Sequence, residues 1–222
     1  MINLSEEWAF SQPSASAGLL AVKKAPNRKD HPGLKQARLA LEEELRSNYG
    51  AMDRKSLREM PVYAAYDAFY RSFKKTYHVQ LQLESVVFKG KQIFSPSALV
   101  ACMFMAELKT GLLTAAHDFK ALIPPLVADL ALGHECYLRL DGTEQVLKRG
   151  DMYIRDQEGI LSSVIYGPDQ RTQIQMDTDQ AVFTTYGPPG IDKGQVQAQL
   201  EVLESYIKIF APSAERTQLV VV

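Results

Sequence analysis

Arg149–Gly190, RGDMYIRDQEGILSSVIYGPDQRTQIQMDTDQAVFTTYGPPG, reads as a succession of short strands joined by polar turns. Strand signals recur at Met152–Ile154, Ile160–Tyr166, Arg171–Gln175 and Ala181–Tyr186. Glu158-Gly159 and Gly167-Pro168-Asp169 read as turns between them. Arg171, Thr172, Thr184, Thr185 and Tyr186 fall where strands meet turns. Alternation puts Thr184 and Tyr186 on one strand face and Thr185 on the other. The stretch holds no cysteine nucleophile, metal-ligand quartet or phosphate-binding loop. A site built here therefore binds through shape, backbone groups and hydroxyls.

Upstream, further strand signals lie at Val127–Ala131, Cys136–Leu140 and Glu144–Leu147, with a turn at Asp141-Gly142. Before Gly111 the pattern is helical. From Leu34, apolar residues at Leu34, Ala37, Leu41 and Leu45 share one face. Asp53 suits a helix N-cap, and Pro61 suits a first turn, where a missing N–H costs least. In VYAAYDAFYRSF (Val62–Phe73) the aromatics Tyr63, Tyr66, Phe69, Tyr70 and Phe73 recur every three or four residues, as a core-facing stripe does. A short helix is expected at Leu81–Phe88. Ser95 then reads as an N-cap and Pro96 as the first position of a strongly apolar, buried helix that runs to Glu107.

The N-terminus predicts strands near Glu7–Phe10 and Leu19–Lys23, then a loop at Ala25–Gly33. Ile191–Phe210 returns to helix, with Val196, Leu200, Leu203 and Ile207 on one side, and the tail TQLVVV suits an edge strand. Helices, then strands, then a closing helix give an α+β class with mixed and antiparallel sheets packed against helices. We expect one domain over residues 1–222, with N-terminal strands and loop at 1–34 and a tail at 211–222.

Composition narrows the function classes. The 222 residues are 46% hydrophobic and 23% charged, with a formal net charge of -1. That balance excludes a strongly basic, autonomous DNA-binding domain. Residues 1–10, MINLSEEWAF, carry two glutamates where a signal peptide has basic and then apolar residues, and no apolar run has membrane-spanning length. A cytoplasmic protein away from membranes is expected, with Cys102 and Cys136 reduced and buried. Nothing in the sequence sets the oligomeric state.

Candidate chemistry is sparse. His31, His78 and His134 read as exposed. His117-Asp118 is the more suggestive pair, a histidine beside a carboxylate at an element boundary. Glu107 stands near a helix C-terminus, where the dipole disfavours a carboxylate, so it needs a cationic partner or a task. Arg171 is either a turn arginine paired with Asp169 or Asp177, or a holder of a carboxylate or phosphate. Lys74, Lys75, Lys89 and Lys91 offer a weaker RNA-contact reading. No zinc motif, nucleophile elbow or phosphate loop is present, so no metal and no cofactor are expected.

Four blocks, VYAAYDAFYRSF, AELKTGLLTAAHD (Ala106–Asp118), GDMYIRDQEGILSSVIYGPDQRT (Gly150–Thr172) and AVFTTYGPPGI (Ala181–Ile191), together resemble stand-alone relatives of the editing domain of the phenylalanyl-tRNA synthetase beta subunit. The resemblance covers roughly Lys35–Phe210. It implies a compact α+β fold with an amino-acid-sized pocket, and hydrolysis in trans of mischarged aminoacyl-tRNA or a related aminoacyl ester or amide. On that reading His117, Asp118 and Thr184 serve catalysis, the first two by orienting water. Glu107 takes the substrate amine, and Arg171, Thr172, Thr185 and Tyr186 complete the binding surface. Backbone N–H groups near Gly187 and Gly190 would receive the developing oxyanion. The alternative is a non-catalytic module for an amino-acid-like ligand or a protein partner.

Overall fold

The computed structural model describes residues 2–222. A short strand, Ile2–Leu4 (β1), and a helix, Glu6–Ser11 (α1), precede the long strand Ser16–Lys23 (β2). Helices follow at Pro32–Tyr49 (α2), Arg54–Glu59 (α3), Pro61–Ser72 (α4), His78–Lys89 (α5) and Ala98–Thr110 (α6). The strands after them are Thr114–Asp118 (β3), Leu126–Leu130 (β4), Cys136–Leu138 (β5), Glu144–Val146 (β6), Met152–Arg155 (β7), Ile160–Ser163 (β8), Gly167–Pro168 (β9) and Ala181–Gly187 (β10). Lys193–Phe210 (α7) and Glu215–Val221 (β11) complete an α+β fold.

The strands form a five-stranded sheet ordered β1-β4-β7-β8-β9, a four-stranded sheet ordered β11-β2-β10-β3, and a small β5-β6 ribbon. β1 runs parallel to β4, and the remaining ladders are antiparallel. The helix α7 lies against β2 and β10. At Gly18 the backbone of β2 comes so close that a Cβ would sit 2.5 Å from Val196 Cγ1. Helix α6 packs against α7, α2, α5 and β3, and is buried along nearly its whole length, as its unbroken apolar run requires. Gly111 ends it in the left-handed conformation (φ 82°), which turns the chain directly into β3.

Several local readings hold. Asp53 Oδ1 accepts from Ser56 N at 2.7 Å and starts α3. The aromatic stripe of α4 faces the core, with Tyr63, Tyr66, Tyr70 and Phe73 buried. Others are corrected. Glu7–Phe10 is helical, because Ser5 Oγ accepts from Trp8 N at 3.0 Å and caps a turn rich in acidic residues. Helix α6 begins after Ser97 rather than Ser95, because the Ala25–Gly33 loop already satisfies its first donors: Ala98 N bonds Arg28 O (2.8 Å) and Leu99 N bonds Asn27 Oδ1 (3.1 Å). Gly167-Pro168 is a strand paired with β8, and the reversal falls at Val164–Tyr166. Arg171–Gln175 forms no strand, since the side chains of Arg171 and Thr172 are drawn inward to acidic partners. Cys136 is exposed on the β5-β6 ribbon, whereas Cys102 is buried.

Helical and sheet halves are joined by a tyrosine cluster. The rings of Tyr66 and Tyr77 stack with centroids 4.2 Å apart. Tyr66 Oη donates to Tyr186 O, Tyr70 Oη to Val164 O (2.6 Å) and Tyr77 Oη to Gly111 O (2.9 Å). Tyr66 Oη also accepts from Leu113 N at 3.0 Å. Tyr66→Phe strips partners from two buried backbone groups, so equilibrium denaturation should show a loss of about 2–4 kcal/mol. A change below about 0.5 kcal/mol would mean that this clamp contributes little.

Candidate functional site

Glu107 occupies the last turn of α6 with 1% of its surface exposed. The cation expected to neutralise it is absent: among the described residues it belongs to no ion pair, and neighbouring Lys109 reaches away to Glu44 at 3.2 Å. Oε1 accepts from Thr114 N at 2.8 Å, while Oε2 is buried without a hydrogen-bond partner. Burial pushes the carboxyl pKa up to about 8, and the Thr114 N–H only partly opposes the shift.

This carboxyl lines a cavity of about 380 Å³ between α5, α6, β3 and the β8–β9 reversal. That volume falls within the range of small-ligand sites, roughly 300–1,000 Å³. Phe94, Val100, Met103, Phe104, Leu113 and Ile174 make much of the wall apolar, and Thr114, Ser163, Gln82 and Gln173 add polar groups. A second chamber, also of about 380 Å³, shares His78, Gln82, Phe94 and Phe104 with the first and reaches Lys91. Phe94 and Phe104 meet edge-on at 5.6 Å between the two.

His78, expected to be exposed, is half-buried and lines both chambers. Its Nδ1 lies 3.2 Å from Tyr70 Oη, whose only proton goes to Val164 O. Nδ1 must therefore be the donor, which leaves Nε2 unprotonated. Burial, and then the charge of Lys75, push its pKa down to about 4, so the ring is neutral near pH 7.

Of the residues singled out by sequence, Glu107 and Tyr186 line this cavity together. Tyr186 is buried, and its hydroxyl is engaged with Ser162 O at 2.9 Å. The other six lie elsewhere. His117 is fully buried: Nδ1 bonds Thr172 Oγ1 at 2.8 Å, and Thr172 in turn donates to Asp169. Nε2 faces Thr184 Oγ1 at 3.5 Å. The hydroxyl–imidazole–hydroxyl–carboxylate order looks like a proton relay, but neither His117 nor Thr184 lines the cavity. Burial and Arg171 push the His117 pKa down to about 3, and the ring serves as a neutral core bridge. Asp118 turns away to accept from Lys120 N (2.8 Å) and Thr178 Oγ1 (2.6 Å). Thr185 bonds Thr114 Oγ1 at 2.9 Å inside the core.

Arg171 is not free for an anion. It holds Asp156 at 2.9 Å, Ala121 O at 2.6 Å and Glu158 at 3.2 Å, with Asp169 at 3.8 Å. Asp169 is one of the two partners the sequence offered; Asp177 is not among the ion-pair partners of Arg171, and Asp156 and Glu158 are, which the sequence did not indicate. Gly187 and Gly190 do not line the cavity either. Sequence reasoning missed His78, Gln82, Ser163 and Gln173. Of these only His78 carried a signal, as a histidine directly after an aromatic residue at a helix start. Among the described residues no cluster of three or more acidic, histidine or cysteine side chains could hold a metal ion, and no helix is long and apolar enough to cross a membrane.

No protein-family model matches the chain, and no curated protein matches it. Among solved structures it is similar to one described as an N-terminal fragment of the phenylalanyl-tRNA synthetase beta-subunit from Pyrococcus horikoshii. That likeness has a TM-score of 0.50 and 12% identity over 98% of this chain. The chain spans 54% of that fragment, about half its length. At this identity the likeness speaks to the fold.

The Glu107 carboxyl makes a pH prediction. Its pKa is raised in the fold, so its stabilising contribution is complete below the unfolded value near 4.5 and is lost as pH rises toward about 8. Glu107→Gln removes that titration. Relative to wild type it should gain roughly 3–5 kcal/mol between about pH 4.5 and pH 8 in denaturation curves. A difference that stays flat with pH would show that the carboxyl is not perturbed.

Proposed function

We propose that the cavity over Glu107 receives an aminoacyl group or an amino-acid-like ligand, with its ammonium on Oε2 and its side chain against Phe94, Met103, Phe104 and Ile174. The observation that carries this reading is Glu107 in the wall of a largely apolar cavity, with one carboxyl oxygen, Oε2, buried and without a hydrogen-bond partner. An ammonium brings compact charge and donors, and it turns a costly buried carboxylate into a paired one. Apolar walls strengthen the pairing by excluding water. The phenylalanyl-tRNA synthetase-like fold agrees with a ligand of this kind.

Binding should be coupled to proton release. With a pKa of about 8, Glu107 is mostly protonated near pH 7 and must ionise to pair with a cation. Calorimetry with phenethylamine, whose amine stays charged throughout, should show affinity rising about tenfold from about pH 6 to about pH 7. Release of close to one proton should accompany it. Glu107→Gln should abolish both effects. Equal binding by wild type and variant would refute the assignment.

A second reading, hydrolysis of aminoacyl esters in trans, is favoured by the unprotonated Nε2 of His78 on the cavity wall. An aminoacyl ester is already activated, so a water aligned by Nε2 suffices to attack its carbonyl. The products are a free amino acid and the liberated hydroxyl of the RNA or nucleoside. A weakly basic imidazole aligns water better than it abstracts protons, so the acceleration is at the low end for such a group, about 10²-fold. A panel of mischarged aminoacyl-tRNAs tests this. Wild type should deacylate at least one faster than buffer alone, and His78→Gln should lower kcat by about 10²-fold with little change in KM. No turnover above buffer leaves the binding reading and removes the hydrolytic one.

A further inference from the structure

The two chambers that meet beside α5 and α6 differ in charge. Among the described residues, the chamber over Glu107 is lined by that one acid and by no lysine or arginine. The second chamber is lined by one lysine, Lys91, and by no acid. The last turn of α6 forms the partition, with Glu107 lining the first chamber and its neighbour Leu108 the second. Lys91 is set in place by its backbone. Gly90 ends α5 in the left-handed conformation (φ 64°), and Lys91 N then donates to Ser85 O at 3.0 Å. Arg46 Nη2 donates to Lys91 O at 3.4 Å.

The wall that the chambers share carries one acceptor and one amide. His78 and Gln82 stand four residues apart on α5, hence on one helix face, and both line both chambers. With Nδ1 of His78 committed to Tyr70 Oη, its Nε2 is an acceptor, and the Gln82 side chain supplies an amide donor. A peptide unit presents the matching pair, one N–H and one C=O. Beyond this wall Val86, Ile93 and Leu108 give the second chamber an apolar lining of its own. Phe94 belongs to both chambers and leaves 65% of its surface exposed, so a ligand reaching from one chamber to the other would cover it.

We infer that the two chambers together take a short peptide of two or three residues, with its N-terminal amine on Glu107 and its C-terminal carboxylate on Lys91. This rests on the Glu107 reading and narrows the ligand from an amino-acid-like group to a free peptide. A single α-amino acid carries both charges on one carbon, so it cannot place one in each chamber. A sphere of about 380 Å³ is about 9 Å across, which two or three extended residues span at about 3.3–3.6 Å each. The first side chain lies against Met103 and Ile174, and the second against Val86, Ile93 and Leu108. The peptide unit between them meets His78 and Gln82 as it passes Phe94.

Four compounds separate the two claims: phenylalanyl-leucine, its C-terminal amide, free phenylalanine and phenethylamine. In calorimetry near neutral pH at about 50 mM salt, the dipeptide should bind about tenfold or more tighter than phenethylamine, because it buries a second apolar side chain. Amidation should weaken it by about threefold to fivefold, since Lys91 is exposed and solvent weakens its ion pair. Lys91→Met should bind dipeptide and amide equally, at the wild-type affinity for the amide. Free phenylalanine should bind more weakly than phenethylamine, because its carboxylate lies beside Glu107. If phenethylamine binds through Glu107 but wild type holds dipeptide and amide equally, or neither more tightly than phenethylamine, the peptide assignment falls while the Glu107 reading stands. Free phenylalanine binding as tightly as the dipeptide overturns it too. If no compound binds, or all bind Glu107→Gln as they bind wild type, both readings fall.

Discussion

Two tyrosine hydroxyls, those of Tyr66 and Tyr70, hold the two halves of this molecule together, and a third, that of Tyr77, braces the end of α6 where the chain passes into β3. Tyr66, Tyr70 and Tyr77 come from the helical half, and each donates to a main-chain carbonyl: at Tyr186 in β10, at Val164 beside β8, and at Gly111 where α6 ends. Each carbonyl is buried, so none has water as an alternative partner. Stacking of Tyr66 on Tyr77 sets the ring positions, and the hydroxyls then set the distance between helices and strands. The spacing matters for the cavity, because Tyr186, Val164 and Leu113 are both clamped residues and cavity-lining residues. The tautomer of His78 follows from the same clamp, since Tyr70 has spent its proton on Val164.

Against this ordered frame, Glu107 is the one strongly perturbed acid in the cavity wall with an unused oxygen. Other acids beneath the surface are fully engaged: Asp156 takes Arg171 and backbone donors, Asp169 takes Thr172, and Asp151 takes Ser163. Those arrangements are internal braces. The His117 bridge is another, and it shows why a histidine in a plausible order of partners is not a reactive centre without space beside it. Chemistry needs access, and the cavity gives access to Glu107 and His78 rather than to His117.

How much of this was legible in the sequence depended on range. Helix α4 was readable from its aromatic spacing, α7 from its apolar face, and β10 from its run of β-formers, because each signal is local. Glu7–Phe10 misled because four alternating residues cannot be told from one helical turn, and Ser5 decided the matter from outside that window. The start of α6 was displaced by Asn27 and Arg28, some seventy residues upstream. In the site, Glu107 was legible as a carboxylate placed against a helix dipole. Of the partners of Arg171, Asp169 is two residues away and was legible, whereas Asp156, the pairing of His117 with Thr172 and the burial of His78 depend on contacts between separate segments, which no local pattern encodes. The α+β class survived these errors because it depends on the order of elements rather than on their edges.

The strand β2 carries a further consequence. Its sequence, SAGLLAVK, is almost wholly buried, yet its ladder partners lie far along the chain: Ala17 pairs with Tyr186, and Leu19 with Val220. Ile2 likewise pairs with Leu126. During synthesis this apolar strand emerges long before β10 and β11, and it stays without either neighbour until they have been made. The order of manufacture is thus opposed to the order of closure, and long-range closure is intrinsically slow. Nascent chains arrested before β10 expose an adhesive strand, the kind of segment that chaperones shield and that drives truncated products to aggregate.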